Sequence, residues 1–243
     1  MSRHTFALLL LLLLMPLVSS CGLIDYYFLP PSDDTAQELF ESGMDYMKEK
    51  RYSQAAESFL KLKDRYPFSP LTPRAEIALG DAYYFDEKFP EASEAYKEFE
   101  TLRPSNEHIP YVLFQMALSN FKQFRTIDLR QDNVRESLEI LYRLEESFPG
   151  SEFSKSAKEY IYKCRKILAE HEIFVADFYW RTGRYGAAWH RYIFVLENFA
   201  DVVEFKDYVR KRAEYSYFEH QKNLSEEERE KLQWTWKRML KWL

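Results

Sequence analysis

A helical sequence pattern that occurs twice over residues 36–104 constrains the fold of this chain more than any other feature. The copies span residues 36–67 and 73–104, and equivalent positions lie 37 residues apart. The equivalent pairs are Gly43 and Gly80, Tyr46 and Tyr83, Ala55 and Ala92, Phe59 and Tyr96, and Pro67 and Pro104. Chance similarity between two unrelated helical hairpins rarely matches five positions at one constant offset. The pattern therefore predicts a structural repeat.

Each copy is expected to form two facing amphipathic helices. Gly43 and Ala55 carry almost no side chain, so the two backbones of the first copy can approach closely. Tyr46 and Phe59 then fill the space beside that contact. Pro67 cannot continue an α-helix and ends the second one. One pair cannot bury its apolar stripe alone, so neighbouring pairs must stack. This arrangement resembles the tetratricopeptide repeat.

Looser copies follow. A third begins at Pro110 and ends at Pro149, with eight residues inserted around 125–133. This insertion is either a contact site on one rim of the stack or a tolerated surface loop. Residues 151–182 contain no Pro or Gly, which predicts one long helix or two nearly collinear ones. The second half of that segment opens a fourth copy.

The helix ends predict the remaining elements. Asp34 is expected to be the N-cap of the first helix, and Ser225 with Glu228 resembles a capping box that would separate two helices of a fifth pair. The last helix is rich in Trp and Lys, and is either a capping helix or a partner surface. The predicted class is all-α, a right-handed superhelix of about five tetratricopeptide-type helix pairs. The solenoid covers residues 35–243, with repeats 1–3 in 35–149 and repeats 4–5 in 150–243.

The N-terminal segment resembles a bacterial lipoprotein signal peptide, assigned to residues 1–20. Arg3 and His4 precede an apolar run over residues 6–14, which is too short to span a bilayer comfortably. Small residues then precede Cys21, as in a lipobox, which implies cleavage before Cys21 and its acylation. A plain secretory signal with a coincidental cysteine is the alternative. Residues 21–34 would form a lipidated tether, and Gly22 implies the outer membrane, on its periplasmic face.

Composition and motifs argue against several functions. The net charge of −5 and the lack of a basic block make nucleic acid an unexpected partner. The five histidines lack metal-ligand spacing, and the chain contains no P-loop, no nucleophile elbow and no C-x-x-C motif. We therefore expect no enzyme, no cofactor and no metal site. Cys164 lies in a helical pattern and is expected to be a packed core residue.

A solenoid of this type is expected to hold a peptide. In tetratricopeptide repeats the first helix of each pair lines the inner concave face, at the second, fifth, ninth, twelfth and thirteenth positions. The candidates for peptide binding on that face are Phe40, Met44, Met47, Lys48, Arg74, Ile77, Asp81, Tyr84, Phe85, Tyr111, Phe114 and Lys122. Such a face suits a segment that carries aromatic residues and a carboxylate. For Ile77 and Phe114, packing between helices is an equal alternative.

Five local sequences are similar to the BamD family of outer-membrane assembly lipoproteins. They are residues 64–70 (DRYPFSP), 81–84 (DAYY), Arg103-Pro104 with His108, Ile109, Tyr111 and Val112, residues 148–153 (FPGSEF) and residues 172–179 (EIFVADFY). The resemblance covers residues 21 to about 223. It rests on the Arg-Tyr-Pro-Phe turn, the lipobox and the inserted third copy together, because the repeat positions alone are not specific.

This resemblance implies a lipid-anchored periplasmic component of the β-barrel assembly machinery. The implied partners are unfolded outer-membrane proteins, a periplasmic domain of the barrel-forming assembly protein, and other assembly lipoproteins. The N-terminal repeats would receive targeting segments and the C-terminal repeats would contact the barrel-forming subunit. Ala200 replaces the proline expected in the fourth copy, and the last helix is rich in Trp and Lys. These departures leave undecided which residues of the C-terminal repeats would contact the barrel-forming subunit. The alternatives are a pilot lipoprotein for a secretin or another periplasmic scaffold.

Overall fold

The computed structural model describes residues 34–240, without the side chains of residues 226, 227, 229 and 232–240. Within this range the chain forms nine α-helices, a short 3-10 helix over Val203–Phe205 and no β-strand. The helices are α1 (Ala36–Lys48), α2 (Tyr52–Arg65), α3 (Thr72–Phe85), α4 (Phe89–Leu102), α5 (Ile109–Lys122), α6 (Asp132–Ser147), α7 (Glu152–Arg181), α8 (Tyr185–Asn198) and α9 (Lys206–Leu240). The predicted all-α class is confirmed.

The helices stack in chain order. Each packs mainly on the helix before it and the helix after it, so α1 to α8 form four successive pairs and α9 packs on α8. Because consecutive helices run in opposite directions, the turns within pairs lie at one rim of the stack. We call this the inner-turn rim, formed by residues 49–51, 86–88, 123–131 and 182–184. The turns between pairs lie at the opposite rim, the closing rim.

In each of the first two pairs, a small residue on one helix packs against an aromatic ring on the other, as the sequence predicted. A Cβ built on Gly43 would lie 2.5 Å from Cε1 of Phe59, and one built on Gly80 would lie 2.5 Å from Cε1 of Tyr96. Both rings are fully buried. In the third pair the equivalent close approach is polar, since the Ser137 hydroxyl donates to the Ala117 carbonyl at 2.8 Å. The helices of the first two pairs thus pack through a glycine that leaves room for a buried ring.

Three of the inner turns share one backbone geometry. Lys50 and Glu87 have a φ of 59° and Gly183 has a φ of 73°. The next N–H in each turn bonds to the carbonyl five residues earlier, as in Arg51 to Tyr46 at 2.8 Å. This left-handed ending satisfies carbonyls at the helix C-terminus. The third turn differs because it carries the predicted insertion, which forms the loop 123–131.

Helix α7 joins two hydrophobic cores. Its first half, with Ala157, Ile161 and Cys164, packs in the core of α4, α5 and α6, whereas Ala169 and Ala176 pack in the core of α8 and α9. The prediction of a long helix after residue 151 is confirmed. Cys164 is a packed core residue, as predicted, and burial raises the pKa of its thiol to about 11.

Two predicted helix ends are wrong. Thr35, not Asp34, is the N-cap of α1, because its hydroxyl accepts from the Glu38 N–H while the Glu38 carboxylate accepts from the Thr35 N–H. Ser225 does not start a helix. It lies inside α9 and its hydroxyl donates to the carbonyl of Lys222 at 2.7 Å. No Pro or Gly interrupts residues 206–240, so α9 continues as one helix instead of forming a fifth pair.

The predicted signal peptide (1–20) and the tether up to residue 33, including Cys21, lie outside the described residues. Among the helices of residues 34–240, none is both long and apolar enough to cross a bilayer.

The glycine contact predicts a stability effect. Gly80→Ala places a methyl group against the buried Tyr96 ring, and we expect it to lower the free energy of unfolding by about 1–3 kcal/mol. Urea denaturation followed by circular dichroism measures this change. Gly150→Ala is the matched control, because a Cβ there meets no atom within 4 Å. Equal effects at the two positions would contradict the assigned role of the glycine–ring contact.

Candidate functional site

A pocket of about 290 Å³ lies between the first helices of the first three pairs. Its walls come from α1, α3, and the start of α5 with the residue before it. The lining residues are Phe40, Met44, Met47, Arg74, Ile77, Ala78, Asp81, His108 and Tyr111. The structure therefore brings together seven of the twelve predicted peptide-binding residues. That they bind a peptide stays a prediction.

One side of the pocket is apolar and adaptable. Phe40 packs against the core, with its ring centroid 6.0 Å from that of Phe59. Met44, Met47 and Ile77 complete this apolar wall. Methionine has a flexible, polarisable side chain that adjusts to ligands of different shape. This wall can therefore accept more than one kind of apolar side chain.

Arg74 supplies a positive charge at the apolar wall. Its guanidinium lies 4.9 Å from the centroid of the Phe40 ring, a cation–π contact. No carboxylate of residues 34–240 pairs with it. A guanidinium presents several donors in a planar fork that matches a carboxylate. Arg74 is therefore free to receive an acidic group from outside the chain.

Asp81 supplies the opposite charge deeper in the same pocket. The hydroxyls of Tyr96 and Tyr111 both donate to Oδ1 of Asp81 at 2.6 Å. Burial raises the pKa of Asp81, and the two hydrogen bonds oppose that rise. The second oxygen, Oδ2, has no hydrogen-bond partner among the described residues. The tyrosines thus fix a carboxylate that keeps one acceptor atom for a ligand.

A second cluster of the same kind lies in the C-terminal half. The Tyr192 and Tyr208 hydroxyls donate to Asp177, which stands at the position equivalent to Asp81. Arg212 lies 4.9 Å from the Trp180 ring centroid, as Arg74 lies over Phe40. However, Arg212 also donates to the Tyr208 hydroxyl at 3.2 Å and lies 3.8 Å from Asp177.

The difference between the two clusters identifies the one that is available to a ligand. In the C-terminal cluster Arg212 contacts Tyr208 and Asp177 of the same cluster, and these contacts stabilise the packing of α7 against α9. In the N-terminal cluster Arg74 is left without an acidic partner among residues 34–240. The first cluster is therefore the better candidate for binding an external carboxylate.

Three of the remaining predicted residues lie at the inner-turn rim. Lys48 is exposed and pairs with Asp45 at 2.8 Å. Phe85 stacks on Tyr52 with ring centroids 5.4 Å apart. Lys122 lines a separate hollow beside the inserted loop. All three occupy the thirteenth position of their repeats, next to the turn, and this end of the helix does not reach the pocket.

The last two predicted residues are used in packing. Tyr84 contacts Phe89 edge-on, with centroids 5.6 Å apart, at the α3–α4 turn. Phe114 packs against Phe153 and Tyr160 of α7, both at 5.8 Å. Helix α7 covers this face of α5, so the equivalent of the Phe40 position is filled from within. For Phe114 the structure shows the interhelical packing that the sequence left open.

Sequence reasoning missed Ala78, His108 and the supporting Tyr96. For Tyr96 a signal was present in the repeat itself. Where the first copy has Met44 and Phe59, the second has Asp81 and Tyr96, so an acceptor and a donor appear together at facing positions. The fourth copy repeats this pair as Asp177 and Tyr192. His108 precedes α5, so its position in the pocket depends on the conformation of the turn between the second and third pairs.

The Asp81 cluster predicts a pH-dependent effect of Tyr111→Phe. The pKa of Asp81 is raised in the folded protein, so its contribution to stability is present at low pH and is lost as the pH rises through the folded pKa. Above that pKa the buried carboxylate depends on its hydroxyl donors. We expect Tyr111→Phe to lower the unfolding free energy by about 1–3 kcal/mol above the raised pKa, and by less below it.

Urea denaturation over a range of pH, from below the raised pKa of Asp81 to above it, measures this difference. Tyr162→Phe is the control, since the Tyr162 hydroxyl lies 3.5 Å from the surface carboxylate of Glu204 and its loss should have little effect at either pH. If the decrease in unfolding free energy caused by Tyr111→Phe does not change with pH, the Tyr111 hydroxyl does not stabilise the Asp81 carboxylate.

Comparison with known proteins gives consistent matches. The chain is 26% identical to the outer membrane protein assembly factor BamD of Vibrio cholerae over 172 residues, covering 67% of this chain and 69% of that protein. It is 24% identical to BamD of Caulobacter vibrioides over 160 residues, covering 66% and 52%. BamD of Xylella fastidiosa matches at 24% over 173 residues, covering 67% and 59%. The chain thus spans about half to two thirds of the length of several curated relatives.

A solved tetratricopeptide repeat protein from Parabacteroides merdae aligns with a TM-score of 0.41 and 14% identity, over 78% of this chain and 75% of that one. The family described as outer membrane lipoprotein, YfiO, matches residues 32–232, which is most of the chain. The chain therefore belongs to the YfiO family of outer membrane lipoproteins, as the sequence resemblance to BamD predicted.

Proposed function

We propose that this protein is a lipid-anchored periplasmic component of the outer-membrane β-barrel assembly machinery. In this proposal the pocket of α1, α3 and α5 binds the C-terminal targeting segment of unfolded outer-membrane proteins. Family membership supports the assembly role, since the matched relatives are named outer membrane protein assembly factors. The observation that carries the binding role is Arg74, a cation without an acidic partner among residues 34–240, placed at an apolar wall.

The chemistry of the pocket fits such a segment. A strand that ends in an aromatic residue offers a ring and a free α-carboxylate at one end. The ring packs against Phe40, Met44 and Met47, and the carboxylate accepts hydrogen bonds from Arg74. Oδ2 of Asp81 accepts from a backbone N–H of the segment. Methionines let one pocket take many different precursors, at the cost of high affinity for any one of them.

The other partners follow from the same proposal. Acylated Cys21 holds the protein at the periplasmic face of the outer membrane, because several acyl chains give stable anchoring. The C-terminal half, with α8 and α9, contacts a periplasmic domain of the barrel-forming subunit, and other assembly lipoproteins complete the complex. Exposed aromatic residues in this half, such as Phe178, Phe194 and Phe218, provide surface for these contacts.

A peptide titration tests the pocket. The probe is a fluorescent ten-residue peptide of alternating apolar residues that ends in Phe with a free carboxylate, and anisotropy measures its Kd. We expect Arg74→Ala to weaken binding by about 10- to 100-fold, because a hydrogen bond to a charged group contributes ~1.5–3 kcal/mol. Amidation of the peptide should weaken binding to the unaltered protein by a similar factor and have little further effect on Arg74→Ala.

Two variants control this titration. Lys48→Ala removes a cation outside the pocket that is paired with Asp45, and should leave the Kd unchanged. Arg212→Ala removes the equivalent arginine of the C-terminal cluster, and should lower stability without changing the Kd. If amidation and Arg74→Ala weaken binding independently, the carboxylate does not bind to Arg74 and the proposed mode of recognition is wrong.

A further inference from the structure

Phe68 is the most exposed large apolar side chain among the described residues. Its relative exposure is 98%, although it stands in the turn between α2 and α3 and is flanked by Pro67 and Pro70. A lone exposed leucine on a helix needs no explanation. A full phenylalanine ring held in water at the tip of a short turn is a different case, because many polar residues would serve the turn equally well.

The turn that carries Phe68 is rigid. The Ser69 N–H donates to the Tyr66 carbonyl at 3.0 Å, and the Thr72 N–H donates to the Ser69 carbonyl at 3.0 Å. The Thr72 hydroxyl donates to the Tyr66 carbonyl at 2.5 Å, and the Ser69 hydroxyl accepts from the Leu71 N–H at 3.2 Å. The two prolines restrict the backbone further. The ring is therefore presented in a fixed place, which reduces the entropy lost on binding.

This turn lies beside the point where the tether joins the solenoid. The Tyr66 hydroxyl donates to the carbonyl of Asp34 at 2.8 Å, so the closing rim of the first pair contacts the first described residue. Twelve residues, 22–33, lie between Cys21 and Asp34. Fully extended, they span at most about 45 Å. Phe68 is thus held on the rim from which the chain leads to the acylated cysteine.

We propose that Phe68 is a membrane contact, which inserts its ring into the headgroup region of the bilayer that holds Cys21. The inference rests on the proposed lipid anchor and adds a second, protein-borne contact to it. Aromatic residues are enriched at the membrane interface, where a ring buries apolar area without spanning the bilayer. Acyl chains on a tether only limit how far the solenoid lies from the membrane, whereas a second contact on the same rim also restricts its orientation.

The backbone of the turn suits a lipid surface. Unpaired N–H groups are costly to move out of water. Pro67 and Pro70 have no N–H, and those of Ser69, Leu71 and Thr72 are already bonded within the turn. Insertion therefore removes few polar groups from water. The neighbouring charges are mixed, with Asp64 beside Lys63 and Arg65, so the contact is apolar and should not depend on salt.

Fluorescence from the turn tests this contact in the full-length lipidated protein. Phe68→Cys is labelled with an environment-sensitive dye, since Cys164 is buried and the proposed acylation of Cys21 blocks its sulfur. Leu129→Cys is the matched control, because it is half exposed and lies in the inserted loop on the inner-turn rim. Both proteins are placed in vesicles of phosphatidylethanolamine and phosphatidylglycerol, with or without lipids that carry spin labels at the headgroup or deep in the acyl chain.

We expect blue-shifted emission at position 68 only, quenched more by the shallow spin label than by the deep one, as for insertion of roughly 5–10 Å. High salt should leave the signal unchanged. Water-like emission at position 68 would overturn the proposal. A blue shift that spin-labelled lipid does not quench would also overturn it, since the ring would then be covered by protein, either the tether or another chain.

Mass spectrometry of the same sample separates this inference from the proposed function. If Cys21 carries acyl chains and the vesicles float with the protein, a negative result at position 68 counts against the membrane contact alone. If Cys21 is not acylated, the anchor in the proposed function fails. The two dyes are then compared with a hexahistidine segment in place of residues 1–21 on nickel-chelating lipid, which keeps the tether length. Unquenched emission at position 68 there overturns the inference as well.

Discussion

The contact between a glycine and a buried ring sets the geometry on which the rest of the structure depends. At Gly43 and Gly80 the facing rings occupy the volume that a side chain would need, so the two helices of each of the first two pairs pack closely. Consecutive helices pack on each other in the same way along the chain, and residues of the first helices of the first three pairs surround one pocket. A pocket between helices that are 37 residues apart exists because this packing repeats.

The pocket combines that regular packing with one departure from it. Where the second copy exchanges a methionine and a phenylalanine for Asp81 and Tyr96, the interior gains a hydrogen-bonded carboxylate without losing the ring. The same exchange occurs at Asp177 and Tyr192, but there Arg212 binds within the cluster. One chain thus contains a closed and an open version of the same arrangement. The open version is the one beside the apolar wall of Phe40 and the two methionines.

Much of this was predictable where the cause is local or periodic. The repeat offset predicted the close glycine contacts, and the absence of Pro and Gly predicted α7. The repeat positions predicted seven pocket residues. What the sequence left open or predicted wrongly has long-range causes. For Phe114 the sequence left peptide binding and packing as equal alternatives, and the side chain packs against α7, which no property of the third copy indicates. Ser225 resembles a cap, but the residues around it form a continuous helix. Lys48 and Lys122 lie at helix ends, where a turn decides their direction.

The proposed binding of unfolded outer-membrane proteins to the pocket of α1, α3 and α5 can be tested directly in the cell. The most direct measurement places a photo-crosslinking amino acid at position 78, on the pocket wall, in the lipidated protein within its own cell envelope. We expect light-dependent adducts with many newly exported β-barrel proteins, through their C-terminal segments. The same residue at position 129, in the inserted loop, should give none of these adducts. Adducts with a single fixed partner such as a secretin, and none with barrel precursors, would show that the pocket does not receive unfolded outer-membrane proteins.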